Sequence, residues 1–127
     1  MQPLRLKWGW LAAGGAFVAC VVYLGLMPAT SVPDLGMSDF VEHAAGYLAL
    51  MLWFAGLALR SRWLAVAGAL FLLGAVLEGL QGAMALGRVT DPVDLAANSL
   101  GIALGLGLAH AGLGGWMRWA EARLLRP

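Results

Sequence analysis

Apolar and polar positions fall in long blocks along this chain rather than in short alternation. Four apolar runs, at about residues 8–27, 40–59, 63–85 and 93–115, are separated by polar segments at 28–39, 60–62 and 86–92. Each run reaches the roughly 20 residues that a helix needs to cross hydrocarbon at 1.5 Å per residue. The pattern predicts an all-α polytopic membrane protein, a four-transmembrane-helix bundle forming a single domain over 1–127. Arg5 and Lys7 precede the first run, as basic residues precede a signal peptide. Its apolar part is longer than a signal core and no clear A-x-A site follows, so it is read as a retained span.

Composition agrees with the blocks. Hydrophobic residues make up 61% of the chain and charged residues only 12%, against roughly 25% charged in a soluble domain. The eighteen glycines show no G-X-Y period and suit close helix packing. Cys20 is the single cysteine, which excludes an intrachain disulfide. Nothing in the net charge of +1 calls for a nucleic-acid partner.

Charge becomes informative once it is placed on the four-span pattern. The N-terminus, the 60–62 loop and the C-terminus share one side, and that side holds Arg5, Lys7, Arg60, Arg62, Arg118, Arg123 and Arg126. Only Arg88 lies on the other. The positive-inside rule then puts both termini in the cytoplasm. Trp8, Trp10, Trp63, Trp116 and Trp119 fall at that cytoplasmic edge, where interfacial anchors are expected. Acids divide the opposite way: Asp34, Asp39, Glu42, Glu78, Asp91 and Asp94 belong to the outer half, and Glu121 alone to the inner.

The outer half also collects the polar residues that sit inside spans. Asp39, His43 and Tyr47 recur at i, i+4 and i+8, so they stack on one helix face, His43 about 6 Å and Tyr47 about 12 Å below Asp39. Asp39 and Glu42 have the spacing of a D-x-x-E capping box, which leaves His43 unexplained. Glu78 lies about 10 Å below the end of the third span, with Gln81 about a turn above it. A carboxylate at that depth needs a partner, Arg88 or His43, or a proton. At the fourth span Thr90 or Asp91 suits the cap, Pro92 the first turn and Asp94 the N3 position beside the positive end of the helix dipole. Asp91, Asp94 and Asn98 share a face at i, i+3 and i+7, and Asn98 reaches nearly the depth of Glu78. Gly101 and Gly105 continue that helix as a GxxxG pair, which permits close backbone approach. His110, Tyr23 and Cys20 stand apart and are read as interfacial or packing residues.

These elements together resemble the VanZ-like family of small bacterial membrane proteins. The motifs that carry the resemblance are Asp39-x3-His43-x3-Tyr47, Glu78-x2-Gln81, and Arg88-x2-Asp91-x2-Asp94-x3-Asn98-x2-Gly101-x3-Gly105, in the family's order over about 28–105. Phe40 stands where family members usually carry a lysine, which leaves Arg88 as the fixed cation of the cluster. Because the family's namesake is linked to resistance against the glycopeptide teicoplanin, the resemblance implies a cell-envelope role rather than a particular reaction.

The expected site comprises Asp39, His43, Tyr47, Glu78, Gln81, Arg88, Asp91, Asp94 and Asn98, an outward-facing polar pocket that binds an amphiphile. Membrane lipids, a lipid-linked envelope precursor or a lipoglycopeptide are the expected partners. A second reading is an intramembrane hydrolase or transferase with His43, Glu78 and Asp39 as acid–base candidates. No G-x-S-x-G or H-E-x-x-H signature supports a nucleophile or a zinc protease. Asp, His and Glu could together hold a divalent metal, but a lone histidine in the cluster argues against a dedicated zinc site, and no metal and no cofactor are expected. A proton-coupled small transporter ranks third, because the polar groups gather near one end rather than at the midplane. The remaining possibility is an ion-pair and capping network that only holds helix ends together; it leaves His43, Tyr47, Glu78, Gln81 and Asn98 unexplained below the caps.

Overall fold

Backbone hydrogen bonds have no water to fall back on in hydrocarbon, so apolar runs of this length close their bonds internally as helices. The computed structural model describes residues 1–31, 36–84 and 90–125. Its helices are α1 (Lys7–Leu26), α2 (Asp39–Leu57), α3 (Trp63–Met84), α4 (Pro92–His110) and a short α5 (Trp116–Leu124), with single 3-10 turns at Ala29–Ser31, Arg60–Arg62 and Leu113–Gly115. No strand occurs among the described residues. Four of the helices are long and apolar enough to cross a membrane, and the chain is an all-α four-helix bundle.

Local chemistry sets the helix ends. Ser38, rather than Asp39, caps α2: its backbone is extended and its Oγ accepts the Val41 N–H at 3.4 Å. Asp39 and Glu42 therefore fall inside the first turn and do not form the expected capping box. Asp91 caps α4, its Oδ1 accepting the Val93 N–H at 2.8 Å, with Pro92 at the first helical position and Asp94 in the first turn. The expectation that the fourth helix continues to Gly115 fails. It ends at His110, and Gly112 follows at φ +121°, a left-handed backbone that an L side chain rarely adopts. The freed residues form a tight turn and α5, a polar helix that packs across the end of the bundle.

α2 and α4 make the tightest pair. A Cβ on Gly101 would strike the Ala44 carbonyl oxygen, and one on Gly105 would lie 2.7 Å from Met51 Cβ, so the GxxxG face is what lets the two backbones meet. Around this seam Tyr47, Leu50, Met51, Ala55, Trp63, Leu70, Ile102 and Ala109 form the main core. α1 is different. Gly14 is its one buried residue, pressed against the Trp53 indole, and the helix otherwise lies loosely against α2 and α3.

The end that holds the chain termini is tied by indoles. Trp10, Trp53 and Trp116 meet edge to face with centroids 5.4–5.8 Å apart, and the Trp63 and Trp116 N–H groups donate to the carbonyls of Ala55 and Leu52. Of the tryptophans expected as interfacial anchors, Trp8 and Trp119 are exposed, whereas Trp10, Trp63 and Trp116 turn inward. Glu121 of α5 completes the knot. Its carboxylate accepts the N–H groups of Arg5 and Leu6 at 2.8 Å and the Trp10 indole N–H at 2.9 Å.

Candidate functional site

The polar groups gather at the opposite end of the bundle, where α2 and α4 begin and α1 and α3 finish. One helical turn separates His43 from Tyr47 on α2, and the same spacing separates Asp94 from Asn98 on α4. The close α2–α4 packing faces these two pairs toward each other. His43 Nδ1 lies 2.9 Å from Asn98 Oδ1, and His43 Nε2 lies 3.7 Å from Asp94 Oδ2. A carbonyl oxygen only accepts, so Nδ1 carries the hydrogen in that contact. The ring is thereby oriented with Nε2 toward the Asp94 carboxylate.

α3 brings Glu78 and Gln81 to the same place. Glu78 is only 3% exposed, and its Oε2 accepts the backbone N–H of Asp91 at 3.4 Å. Thr90 Oγ donates to the Glu78 carbonyl at 3.1 Å, which fixes the approach to α4 against α3. Gln81 Nε2 donates to the Gly25 carbonyl at 2.6 Å and so ties the end of α1 to α3. One donor nitrogen of His43 and one carboxylate oxygen each of Glu78 and Asp94 all lie within 4.8 Å of one another.

Between α1 and the other three spans is a cavity of about 310 Å³. Its two walls differ in kind. Phe17, Cys20, Val21 and Leu24 of α1 face it on one side; Glu42, His43, Tyr47, Glu78, Gln81 and Asn98 face it on the other. Tyr47 and Asn98 pack closely against α3 where residue 74 has no side chain: a Cβ there would lie 3.0 Å from Asn98 Nδ2 and 3.2 Å from Tyr47 Oη. Tyr47 is 4% exposed, and its hydroxyl has no hydrogen-bond partner among the described residues. A buried hydroxyl left unpaired costs on the order of 1–3 kcal/mol.

Of the residues expected from the sequence, His43, Tyr47, Glu78, Gln81 and Asn98 line the cavity, and Asp94 stands directly behind His43. Asp39 is exposed and Asp91 serves as the cap of α4; neither lines the cavity. Arg88 lies outside the described residues. Sequence reasoning passed over Glu42, Gly74, Thr90 and the α1 wall with Cys20. Gly74 is one glycine among eighteen and carries no local mark, and α1 has no polar period to reveal a lining face.

Fold and cavity together define a membrane-embedded helical protein with a largely apolar cavity that His43, Tyr47, Glu78, Gln81 and Asn98 border near one end of its bundle. Compared with known proteins, the chain matches no family model, no curated sequence and no solved structure.

Proposed function

We propose that this chain is a VanZ-like cell-envelope protein of a bacterial cytoplasmic membrane. In this reading both termini lie in the cytoplasm and the recess opens on the outer side. There it binds an amphiphile, a lipid-linked envelope intermediate or a lipoglycopeptide, and so contributes to resistance against teicoplanin-type glycopeptides. The two-faced cavity carries the reading. An amphiphile needs an apolar surface for its chain and a cluster of hydrogen-bonding groups for its head, and both line one cavity of about 310 Å³. The loosely packed α1, with Gly14 its one buried residue, supplies the apolar wall. The head group meets Tyr47, His43, Glu78 and Asn98, with the Tyr47 hydroxyl acquiring the partner it lacks.

A purification in mild detergent followed by mass spectrometry of bound lipid tests this. The wild-type protein is expected to retain a phosphorylated or glycosylated amphiphile well above its abundance in the bulk membrane. His43→Ala and Glu78→Gln should lower that retention about tenfold, the equivalent of one lost hydrogen bond to a charged group. Teicoplanin susceptibility of expressing cells should change in parallel. Lipid content that is the same in wild type and variants, with unchanged susceptibility, overturns the reading.

One observation favours a second reading, an intramembrane hydrolase or transferase. His43 is held between Asn98 and Asp94 beside the cavity, a placement that suits general acid–base work on a bound head group. Accumulation of a cleaved or transferred product with wild type but not with His43→Ala distinguishes it from binding alone.

A further inference from the structure

We propose that His43, Glu78 and Asp94 form a binding site for a divalent first-row cation such as Zn²⁺ or Mn²⁺ at the polar end of the cavity. This deepens the amphiphile-binding reading: the cation supplies the positive charge through which an acidic recess holds a phosphate or carboxylate head group. The sequence left divalent-metal binding by Asp, His and Glu open while its single cluster histidine argued against a dedicated zinc site.

Four features of the geometry support it. First, three helices contribute one ligand each, α2 the imidazole and α3 and α4 the carboxylates, with donor atoms within 4.8 Å of one another. Ligands around one such cation stand about 3.0–3.5 Å apart for bonds of about 2.0–2.2 Å. The His43 Nε2 to Asp94 Oδ2 separation, at 3.7 Å, is already close to that. Second, His43 is oriented as metal-binding histidines are. Its Nδ1–H donates to Asn98 Oδ1, which directs the Nε2 lone pair at the Asp94 carboxylate. Nitrogen plus carboxylate oxygen selects borderline cations over Mg²⁺ or Ca²⁺, which take oxygen alone.

Third, the site is closed on the protein side and open on the cavity side. Glu78 and Asn98 are 3% and 1% exposed, while His43 and Glu78 also face the cavity. Three protein ligands with one face left for a water or a head-group oxygen is the arrangement of an open rather than a purely structural site. Fourth, the Tyr47 hydroxyl lies buried in the wall of the same cavity, 4% exposed and without a partner among the described residues. In this proposal it donates to an oxygen held on the cation. An acid cluster that served only to cap helices would not need it.

The test uses the full-length protein in detergent, stripped of metal with chelator and reloaded with Zn²⁺ or Co²⁺ alone, no lipid added. One equivalent of cation per chain is expected. The Co²⁺ form should show visible d–d absorption, and X-ray absorption at the zinc edge should show a single imidazole among oxygen ligands. His43→Ala and Asp94→Asn are expected to weaken binding at least tenfold. Asn98→Ala, which removes the acceptor that orients the ring, should weaken it about 10-fold. Wild-type protein that binds no cation overturns the proposal, leaving Arg88 as the counter-charge that the sequence offers. So does a bound cation whose absorption spectrum shows no imidazole, a readout that needs no variant to fold. Lipid retention measured separately on stripped and loaded protein keeps the two readings apart: lipid held equally without metal sinks the cation's role in head-group binding and leaves amphiphile binding intact.

Discussion

Tyr47 and Asn98 are both buried and both polar, yet they place opposite demands on the fold. Asn98 Oδ1 is engaged with His43 Nδ1, so replacing it with leucine strands the imidazole N–H; a loss of about 1–3 kcal/mol is expected. The Tyr47 hydroxyl has nothing to lose among the described residues. Tyr47→Phe should therefore leave stability within about 0.5 kcal/mol of wild type or raise it, while lowering retention of the bound amphiphile. Thermal unfolding of both variants in one detergent, read beside lipid content, checks the contrast. A Tyr47→Phe protein that melts several degrees early would show the hydroxyl to be structural. The sequence could place these two residues at similar depth in the outer half of two spans. It could not say which of them was already satisfied, because that depends on a 2.9 Å contact between residues 55 positions apart.

Among the elements, the seam between α2 and α4 and the docking of α5 show how much a local pattern reveals. The GxxxG pair was legible because its spacing is intrinsic to one helix, though not the partner it would meet. Gly101 faces the backbone of α2 at Ala44, which cannot move aside, whereas a Cβ on Gly107 of the same helix meets nothing within 4 Å. Gly101→Leu is expected to destabilise the bundle by about 1–3 kcal/mol or to prevent its assembly, and Gly107→Leu to be neutral. Equal effects in thermal unfolding and size-exclusion profiles would dismiss the seam. α5 was not legible, since residues 111–115 continue the apolar run of the fourth span and hide the break at Gly112.

α5 also carries a pH dependence. Burial alone would raise the pKa of Glu121, but the N–H groups of Leu6 and Arg5, the Trp10 indole and the nearby Arg5 charge outweigh it and hold the carboxyl below its usual 4.5. A depressed carboxylate contributes stability that is fully present above its ordinary pKa and is lost as pH falls through the folded value. Docking of α5 should therefore hold above about pH 4.5 and weaken below it. Trypsin-independent readouts suit this acid range: Trp fluorescence of the indole cluster is expected to shift on acidification in wild type. Glu121→Gln should flatten that shift; an unchanged acid transition in the variant would remove Glu121 from the account.

For the molecule as a whole, the loosely held α1 decides whether the recess is reachable from lipid. Cys20 is the single cysteine, exposed on α1 and lining the cavity. An apolar maleimide is expected to label it in the folded protein, and a bound amphiphile to slow that labelling. Labelling at one rate with and without amphiphile would show that the occupant lies elsewhere.

The four spans, the all-α class and the gathering of polar groups at one end were determined by the sequence alone. Each follows from hydrophobicity summed over about 20 residues or from spacing along one helix, and neither needs knowledge of a neighbour. Tertiary structure decided which polar residues share a wall. It turned Asp39 outward and brought His43, Glu78 and Asp94 from three helices to within 4.8 Å. It also packed Tyr47 and Asn98 closely against α3 at Gly74, where a side chain would crowd both. Those outcomes depend on the rotation and closeness of helices against one another, which packing sets and no single stretch of chain encodes.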